Sequence, residues 1–185
     1  MRQEHIYNTA IVLEKIEAGQ SLEFMFFWGH RAKPNTVTKA CFSQWWPSSF
    51  TVDDATYATA EHWMMAHKAK LFGAEDIYEK ILTHPDPGAA KGLGRKVRNF
   101  DPEIWDSKKF DIVVEGNLHK FQQNEDIARF LLATGDKVLV EASPVDAIWG
   151  IGLAQDREDV LSPEKWRGPN LLGYALMTVR DLLKV

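Results

Sequence analysis

The stretch TAEHWMMAHKAKLFG, residues 59–73, decides the fold because it predicts a helix with a clear beginning and end. Thr59 is a favoured N-cap residue, and Gly73 is a favoured residue just beyond a helix end. The run between them contains no glycine or proline. The sequence therefore predicts a helix over 60–72.

Two further helices begin at a recognisable signal. Asp86-Pro87 and Asp101-Pro102 each combine an N-cap residue with proline at the first helical position, which predicts helices over 87–97 and 102–122. Weaker patterns predict helices over 4–18, 74–82, 125–133 and 171–183, and strands over 21–28, 51–57 and 137–142. The predicted fold class is mainly α, an α+β domain with a few short strands.

Residues 143–170 are irregular and rich in glycine and proline. Unstructured connections of this length in compact domains are usually functional. At 185 residues the chain is most simply one compact domain.

Composition excludes several classes of protein. The net charge of −4 argues against broad, non-specific binding of nucleic acid. The single cysteine, Cys41, excludes an intramolecular disulfide and is read as an inert thiol. The N-terminus lacks an apolar leader and no stretch approaches a membrane span, so we expect a cytoplasmic protein without a membrane partner.

The familiar catalytic motifs are missing from the sequence. It contains no HExxH, no GxSxG, no phosphate-binding GxxxxGK[ST] and no dinucleotide-binding GxGxxG. His62 and His67 are five residues apart, which is a poor spacing for two ligands on one helix face. We therefore expect neither a metal nor a cofactor.

Tryptophan is abundant, with seven residues in the chain. Several lie in short polar contexts, among them Trp28, Trp105 and Trp149. An indole offers a flat apolar face and one N–H donor, which suits a pocket for a planar heterocycle. The alternative is that each is a large core residue.

Glu61 and Lys68 are the sharpest pair of charged residues. They are seven residues apart in the predicted helix, which places both on one face about 10 Å apart along the axis. That spacing fits a sugar-sized group. Glu61 falls in the first turn, where the positive helix end favours a carboxylate. The alternative is an acid that serves the helix dipole and a lysine in solvent.

Three other residues are candidates with ordinary alternatives. Asp146 is flanked by apolar residues and followed by Trp149 and Gly150; a buried acid can deliver a proton, and the alternative is an Asx turn. Arg95 belongs to a basic stretch that could hold a phosphate or form a solvated helix face. Asn170 precedes the last helix and is expected to cap it, although the helix end could also bind an anion.

Read together, these residues resemble the NADAR family, also called the YbiA-like family. The match extends from about Phe26 to Leu183 and leaves residues 1–20 as an N-terminal extension to a domain over 21–185. The segments that carry it are Phe27-Trp28-Gly29, Phe42-Ser43-Gln44-Trp45, 60–69, 89–95, Trp105-Asp106, 120–124, 131–135, 139–141, 146–150 and 170–180. At Gln44-Trp45 the family often has Asn-Phe, a departure that could alter the base pocket.

The resemblance implies a compact, mostly helical fold and an enzyme that hydrolyses an N-glycosidic bond. Two substrate classes are associated with the family: ribosylaminopyrimidine phosphates of riboflavin synthesis, and ADP-ribose linked to a base, chiefly guanine in nucleic acid. The family's essential acid maps onto Glu61, its functional tryptophan onto Trp105, its later acid onto Asp146 and its helical lysine onto Lys68.

Substrate contacts are expected at seven further residues, all of them in the matching segments: Trp28, Gly29, Ser43, Arg95, Trp149, Gly150 and Asn170. Lys68 has two possible roles, binding a phosphate or attacking C1 of a ring-opened ribose to form a Schiff base. The alternative to an enzyme is a non-catalytic module that binds ADP-ribose or NAD.

Overall fold

The computed structural model describes residues 7–33 and 36–184. Its α-helices are α1 (Thr9–Glu17), α2 (Ala60–Leu71), α3 (Glu75–Thr83), α4 (Pro87–Gly94), α5 (Pro102–Gln122), α6 (Glu125–Leu132) and α7 (Leu171–Leu182). Its strands are β1 (Phe24–Phe27), β2 (Phe50–Val52), β3 (Ala55–Tyr57) and β4 (Val138–Glu141). Short 3₁₀ helices cover Lys39–Phe42, Glu158–Leu161 and Pro163–Lys165. The described part is therefore mainly α with a few short strands, as predicted.

The chain divides into two compact units. The first, here the α2 unit, comprises Gln44–Ala128. The second, here the β4 unit, comprises the described residues up to Ser43 and those from Arg129 onward.

Helix α2 is the centre of the α2 unit. It contacts α3, α4 and α5, and its first seven residues are all buried. The β2–β3 hairpin, which pairs Phe50 with Tyr57, adds to the same core: both rings lie within 6 Å of the Trp63 ring, at 5.9 and 4.9 Å. A helix buried on every side loses the usual polar face, so its polar side chains must find partners inside the protein.

Gly116 lets α5 approach α2. A Cβ at this position would lie 2.2 Å from Cδ1 of Trp63, far inside van der Waals contact. The Trp63 indole is 2% exposed, and its N–H donates to the carbonyl of Ile112 one turn earlier on α5. The Trp63 indole is therefore packed against α5 and hydrogen-bonded to it, and Trp63 is a core residue.

In the β4 unit, β1 and β4 form a parallel pair from Phe24–Val138 to Phe27–Glu141, and α7 packs on β4. Asn170, just before α7, adopts a left-handed backbone conformation (φ 55). Its side chain donates to the Leu139 carbonyl (2.9 Å) and accepts from the Glu141 N–H (3.0 Å), extending the hydrogen bonding of β4. It makes no capping bond to α7, so the predicted capping role is wrong: the amide is committed to the strand.

Other sequence predictions differ from the structure in detail. The single strand predicted over 51–57 is a hairpin, because Asp53 and Asp54 both adopt positive φ and form its turn. The predicted opening helix begins at Thr9, with Asn8 as its cap; residues 4–6 of that prediction lie outside the described residues. Helix α4 ends at Gly94, three residues before the predicted end.

The contact at Gly116 gives a stability prediction. Gly116→Ala is expected to lower the free energy of unfolding by about 1–3 kcal/mol, because the added methyl group overpacks Trp63. Gly92→Ala is the matched control: it is also in a helix, and a Cβ there meets nothing within 4 Å. It should leave stability unchanged or raise it by about 0.5–1 kcal/mol. Urea denaturation measures both, and equal effects would contradict the close contact.

Candidate active site

The N-terminus of α2 holds a buried carboxylate. Thr59 caps the helix by accepting from the His62 N–H, and Glu61 follows in the first turn with 2% of its surface exposed. The Glu61 N–H donates to the Gln44 carbonyl at 2.9 Å, which fixes the start of the helix. The positive end of the helix dipole stabilises a negative charge at this position. The start of the helix is therefore fixed, and the carboxyl group that it carries is shielded from bulk water.

His62 supports this helix end and was missed as a functional candidate by the sequence analysis. Its Nδ1 lies 2.8 Å from the Thr59 hydroxyl oxygen, and its Nε2 lies 2.7 Å from the His84 carbonyl oxygen. A carbonyl only accepts, so Nε2 carries the proton and the Thr59 hydroxyl donates to Nδ1. Burial lowers the pKa of His62, in agreement with a neutral ring. The Thr-x-x-His spacing at a helix start is the sequence signal for this arrangement.

Lys68 lies near the other end of α2, against aromatic rings. Its Nζ is 4.2 Å from the centroid of the Phe100 ring and 5.6 Å from that of Trp105. The side chain is half-buried; burial lowers its pKa, and the nearby charge of Arg95 lowers it further. Its amine therefore loses its proton more readily than an exposed lysine. Phe100 was not among the predicted residues, and nothing in its local sequence distinguishes it.

The α2 unit thus contains four of the predicted site residues. Glu61 and Lys68 lie on one helix, Trp105 lies beside Lys68, and the guanidinium of Arg95, at the exposed end of α4, is close enough to act on the Lys68 charge. The predicted pairing of the glutamate and the lysine on a single helix is confirmed. Lys68 is half-buried, unlike the solvated lysine of the alternative. Glu61 lies in the first turn, as the helix-dipole alternative also requires.

Asp146 lies in the β4 unit. One of its carboxylate oxygens accepts from the N–H groups of Ile148 (2.9 Å) and Trp149 (2.8 Å). Its own N–H donates to the Ser143 hydroxyl. This is the Asx-type turn that the sequence left open, and the side chain is half-buried rather than enclosed. The turn fixes the direction of the carboxylate.

The remaining predicted residues also lie in the β4 unit. Trp28 follows β1 with 58% of its surface exposed, and Gly29 next to it has a positive φ of 77. Ser43 ends the first 3₁₀ helix. Trp149 is half-buried, and a Cβ on Gly150 would lie 2.7 Å from the Glu141 carbonyl oxygen. That close approach of two backbone segments is a structural reason for glycine at position 150.

Residues 7–33 and 36–184 show neither a candidate metal site nor a candidate membrane-spanning helix. They contain no group of three or more histidine, cysteine, aspartate or glutamate side chains placed to hold a metal ion. None of the helices in this part of the chain combines the length and the hydropathy needed to cross a membrane.

Helix α2 thus carries a buried carboxyl group and a lysine whose pKa is lowered. The chain is similar to proteins named as N-glycosidases and as riboflavin biosynthesis proteins. N-glycosidase R617 of Acanthamoeba polyphaga mimivirus is 48% identical over 164 residues, which cover 86% of this chain and 95% of that protein. Riboflavin biosynthesis protein PYRR, chloroplastic, of Zea mays is 32% identical over 152 residues, covering 76% of this chain and 23% of that protein.

The solved structure of YbiA from Escherichia coli, determined by NMR, superposes with a TM-score of 0.71 at 27% identity, covering 89% of this chain and 87% of that one. The NADAR domain model matches residues 26–184. The chain belongs to the NADAR domain family. The predicted family, the YbiA-like fold and the enzyme class, an N-glycosidase, are thereby confirmed. The individual site residues remain predictions.

The buried histidines of α2 give a pH prediction. Burial lowers the pKa of both His62 and His67, so the folded protein binds fewer protons than the unfolded chain below about pH 6.5. The free energy of unfolding should therefore fall as the pH is lowered from 7 to 5. His62→Gln and His67→Gln should each make that decline shallower. Urea denaturation across this pH range checks the prediction; parallel curves for wild type and His62→Gln would contradict it.

Proposed function

We propose that this N-glycosidase hydrolyses the bond between C1 of a ribose and the nitrogen that joins it to a heterocycle. The observation that carries the proposal is the buried carboxylate of Glu61 at the positive end of α2, on the helix that also bears Lys68. When the bond breaks, its electron pair leaves with that nitrogen and C1 becomes cationic. A fixed anion beside C1 stabilises that charge.

Glu61 also has a role after the bond breaks. Water adds to C1 and loses a proton, while the departing nitrogen gains one, so the reaction consumes one water molecule and is neutral overall. We assign Glu61 to orient that water and take its proton. Asp146, whose direction is fixed by its turn, is our candidate for protonating the leaving nitrogen. The indole of Trp105, with that of Trp28 or Trp149, would stack on the heterocycle.

Two substrate classes fit this chemistry: ribosylaminopyrimidine phosphates and ADP-ribose linked to guanine. Both carry phosphate, and the cationic pair Lys68 and Arg95 is the support for phosphate binding. Gly29, Ser43, Gly150 and Asn170 are the remaining candidate substrate contacts. An assay of free-base release from both substrates decides between the two classes. Binding of either substrate without release of its base would favour the non-catalytic module.

The alternative role of Lys68 is covalent. Its neutral Nζ would bond to C1 of the ring-opened ribose as the bond from C1 to the base breaks, and a proton from Nζ would end on the departing base. Water would then hydrolyse the resulting Schiff base and restore the amine. The lowered pKa of Lys68 supports this role, because only the unprotonated amine is a nucleophile.

We also propose that residues 21–185 form the catalytic domain and that the enzyme acts in the cytoplasm. The family match over 26–184 supports the first proposal. The single cysteine, which cannot form a disulfide within the chain, supports the second.

The first functional test replaces the carboxylate. Glu61→Gln keeps the shape of the side chain and removes its charge, so turnover of the cleaved substrate should fall by about 10²–10⁴-fold while its binding persists. Glu75→Gln is the matched control, because it makes the same change in the first turn of α3 at an exposed position. Release of free base is the readout. Undiminished turnover by Glu61→Gln would refute the assignment.

The second test distinguishes the two roles of Lys68. If Lys68 forms a Schiff base, borohydride added during turnover should link the sugar to the enzyme, and mass spectrometry should find the adduct on Lys68. Lys68→Met should abolish it, whereas Lys70→Met, at an exposed lysine of the same helix, should not.

The covalent role also predicts a pH dependence. Turnover at saturating substrate should rise with pH through the lowered pKa of Lys68. Arg95→Met removes a neighbouring positive charge, so it should raise that pKa and move the rise to higher pH. Two results together would assign Lys68 to phosphate binding instead. Turnover would proceed without any trapped adduct, and the pH profile of turnover would be the same in Arg95→Met as in the wild type.

A further inference from the structure

Two buried side-chain amides of the α2 unit form a pair with a fixed orientation. Asn117 on α5 donates through Nδ2 to the backbone carbonyl of Val113 and to Oε1 of Gln44, at 2.8 Å in each case. The Val113 carbonyl can only accept, so it settles which end of the Asn117 amide is nitrogen. The bond from Asn117 then settles which end of the Gln44 amide is oxygen.

The pair leaves one donor and one acceptor unused. Nε2 of Gln44 and Oδ1 of Asn117 are buried, and neither has a hydrogen-bond partner among the described residues. Gln44 is 6% exposed and Asn117 is 0% exposed. Leaving buried polar atoms unpaired is unfavourable, whereas an apolar pair of the same shape would avoid that penalty. These two atoms could be satisfied by a ligand that both accepts and donates a hydrogen bond.

The unused atoms define the chemistry of that ligand. It must accept from the Gln44 N–H and donate to the Asn117 carbonyl oxygen. A hydroxyl group does both through one oxygen atom. A fully ionised phosphate only accepts and an ammonium only donates, so each would leave one of the two amides unmatched. The pair is therefore complementary to an alcohol of a sugar rather than to a charged group.

The position of Gln44 links the pair to the proposed catalytic carboxylate. The backbone carbonyl of Gln44 accepts from the Glu61 N–H at 2.9 Å, so the residue bearing one amide is bonded directly to the residue bearing the carboxylate. Under the proposed function, Glu61 lies beside C1 of the ribose, and the nearest sugar hydroxyl is the one on C2. Hydrogen bonds to this hydroxyl strengthen as C1 becomes cationic, which makes it a productive group to hold.

We propose that Gln44 and Asn117 together bind the C2 hydroxyl of the substrate's ribose and thereby select ribosyl over 2-deoxyribosyl compounds. This inference rests on the proposed function for the placement of C1, but the recognition of the hydroxyl can be measured without any turnover. Both residues contact the substrate as specificity determinants, and neither transfers a proton to C1 or to the leaving base.

The test measures the binding of ribose 5-phosphate and of 2-deoxyribose 5-phosphate by calorimetry. The wild-type protein should bind the ribose compound more tightly by about 10-fold or more, as expected for a buried donor and acceptor left unpaired by the deoxy compound. Gln44→Glu retains an oxygen to accept from Asn117 and exchanges only the donor nitrogen for an acceptor. In this variant the two affinities should differ by no more than about 3-fold, because only the binding of ribose 5-phosphate is weakened.

Two further variants exclude other causes. Gln44→Met removes the amide without adding a charge, so it should lose the preference as well; it also serves if Gln44→Glu fails to fold. Gln122→Glu adds the same charge at an exposed position of α5 and should retain the wild-type preference. Equal affinity of the wild-type protein for both sugars, or binding of neither, overturns the inference. If both Gln44 variants lost affinity for the two sugar phosphates equally, the role of the Gln44–Asn117 pair would be only structural.

The outcomes separate this inference from the proposed function. Selective binding of ribose 5-phosphate that depends on Gln44, without cleavage of any N-glycoside, leaves the hydroxyl site standing and rejects the reaction. Cleavage of ribosyl and 2-deoxyribosyl substrates at the same kcat/KM retains the reaction and rejects the hydroxyl site.

Discussion

The burial of the first two turns of α2 is the constraint on which the site depends. Residues 60–66 are all buried, so the helix has no polar face there and every polar group on it must be satisfied inside the protein. His62 is satisfied by Thr59 and the His84 carbonyl, and the Trp63 indole by the Ile112 carbonyl. These bonds fix the rotation of the helix. Glu61, between Thr59 and His62 in sequence, is held as a consequence.

Burial of this kind is costly for a carboxylate, and the fold reduces the cost. The end of α2 that carries Glu61 is its positive end, and the Glu61 N–H that the helix itself leaves without a partner is bonded to the Gln44 carbonyl. Gly116 allows α5 to come close enough for Asn117 to reach Gln44. Under the proposed function, an ionised Glu61 in this rigid surrounding would stabilise a developing cation, because the protein would not need to reorganise as the charge develops.

The sequence predicts those parts of the structure that depend on local chemistry. The caps at Thr59, Asp86 and Asp101 are local signals, and all three accept the expected backbone bonds. The strand-forming residues on either side of Asp53-Asp54 predict one strand over 51–57. Both aspartates instead adopt positive φ and form a turn, a conformation that aspartate tolerates better than most residues. The role of Asn170 was misjudged for a different reason: its partners are on β4, about 30 residues earlier, and the capping signal gave no hint of them.

Within the site, too, local features could be predicted from the sequence and contacts between distant residues could not. The spacing of Glu61 and Lys68 is a local property of one helix and could be predicted. The contact of Phe100 with Lys68 and the bond between Gln44 and Asn117, 73 residues apart, arise from packing and could not. The resemblance to a family supplied Trp105, whose ring lies 5.6 Å from the lysine nitrogen.

The most direct test of the central claim is a crystal structure of the Glu61→Gln variant with an uncleaved ribosylated substrate. The account predicts that C1 of the ribose lies within about 3.5 Å of the side-chain amide at position 61, the separation of atoms about to interact in a reactive complex. A ribose bound with C1 beyond reach of that side chain would contradict the account.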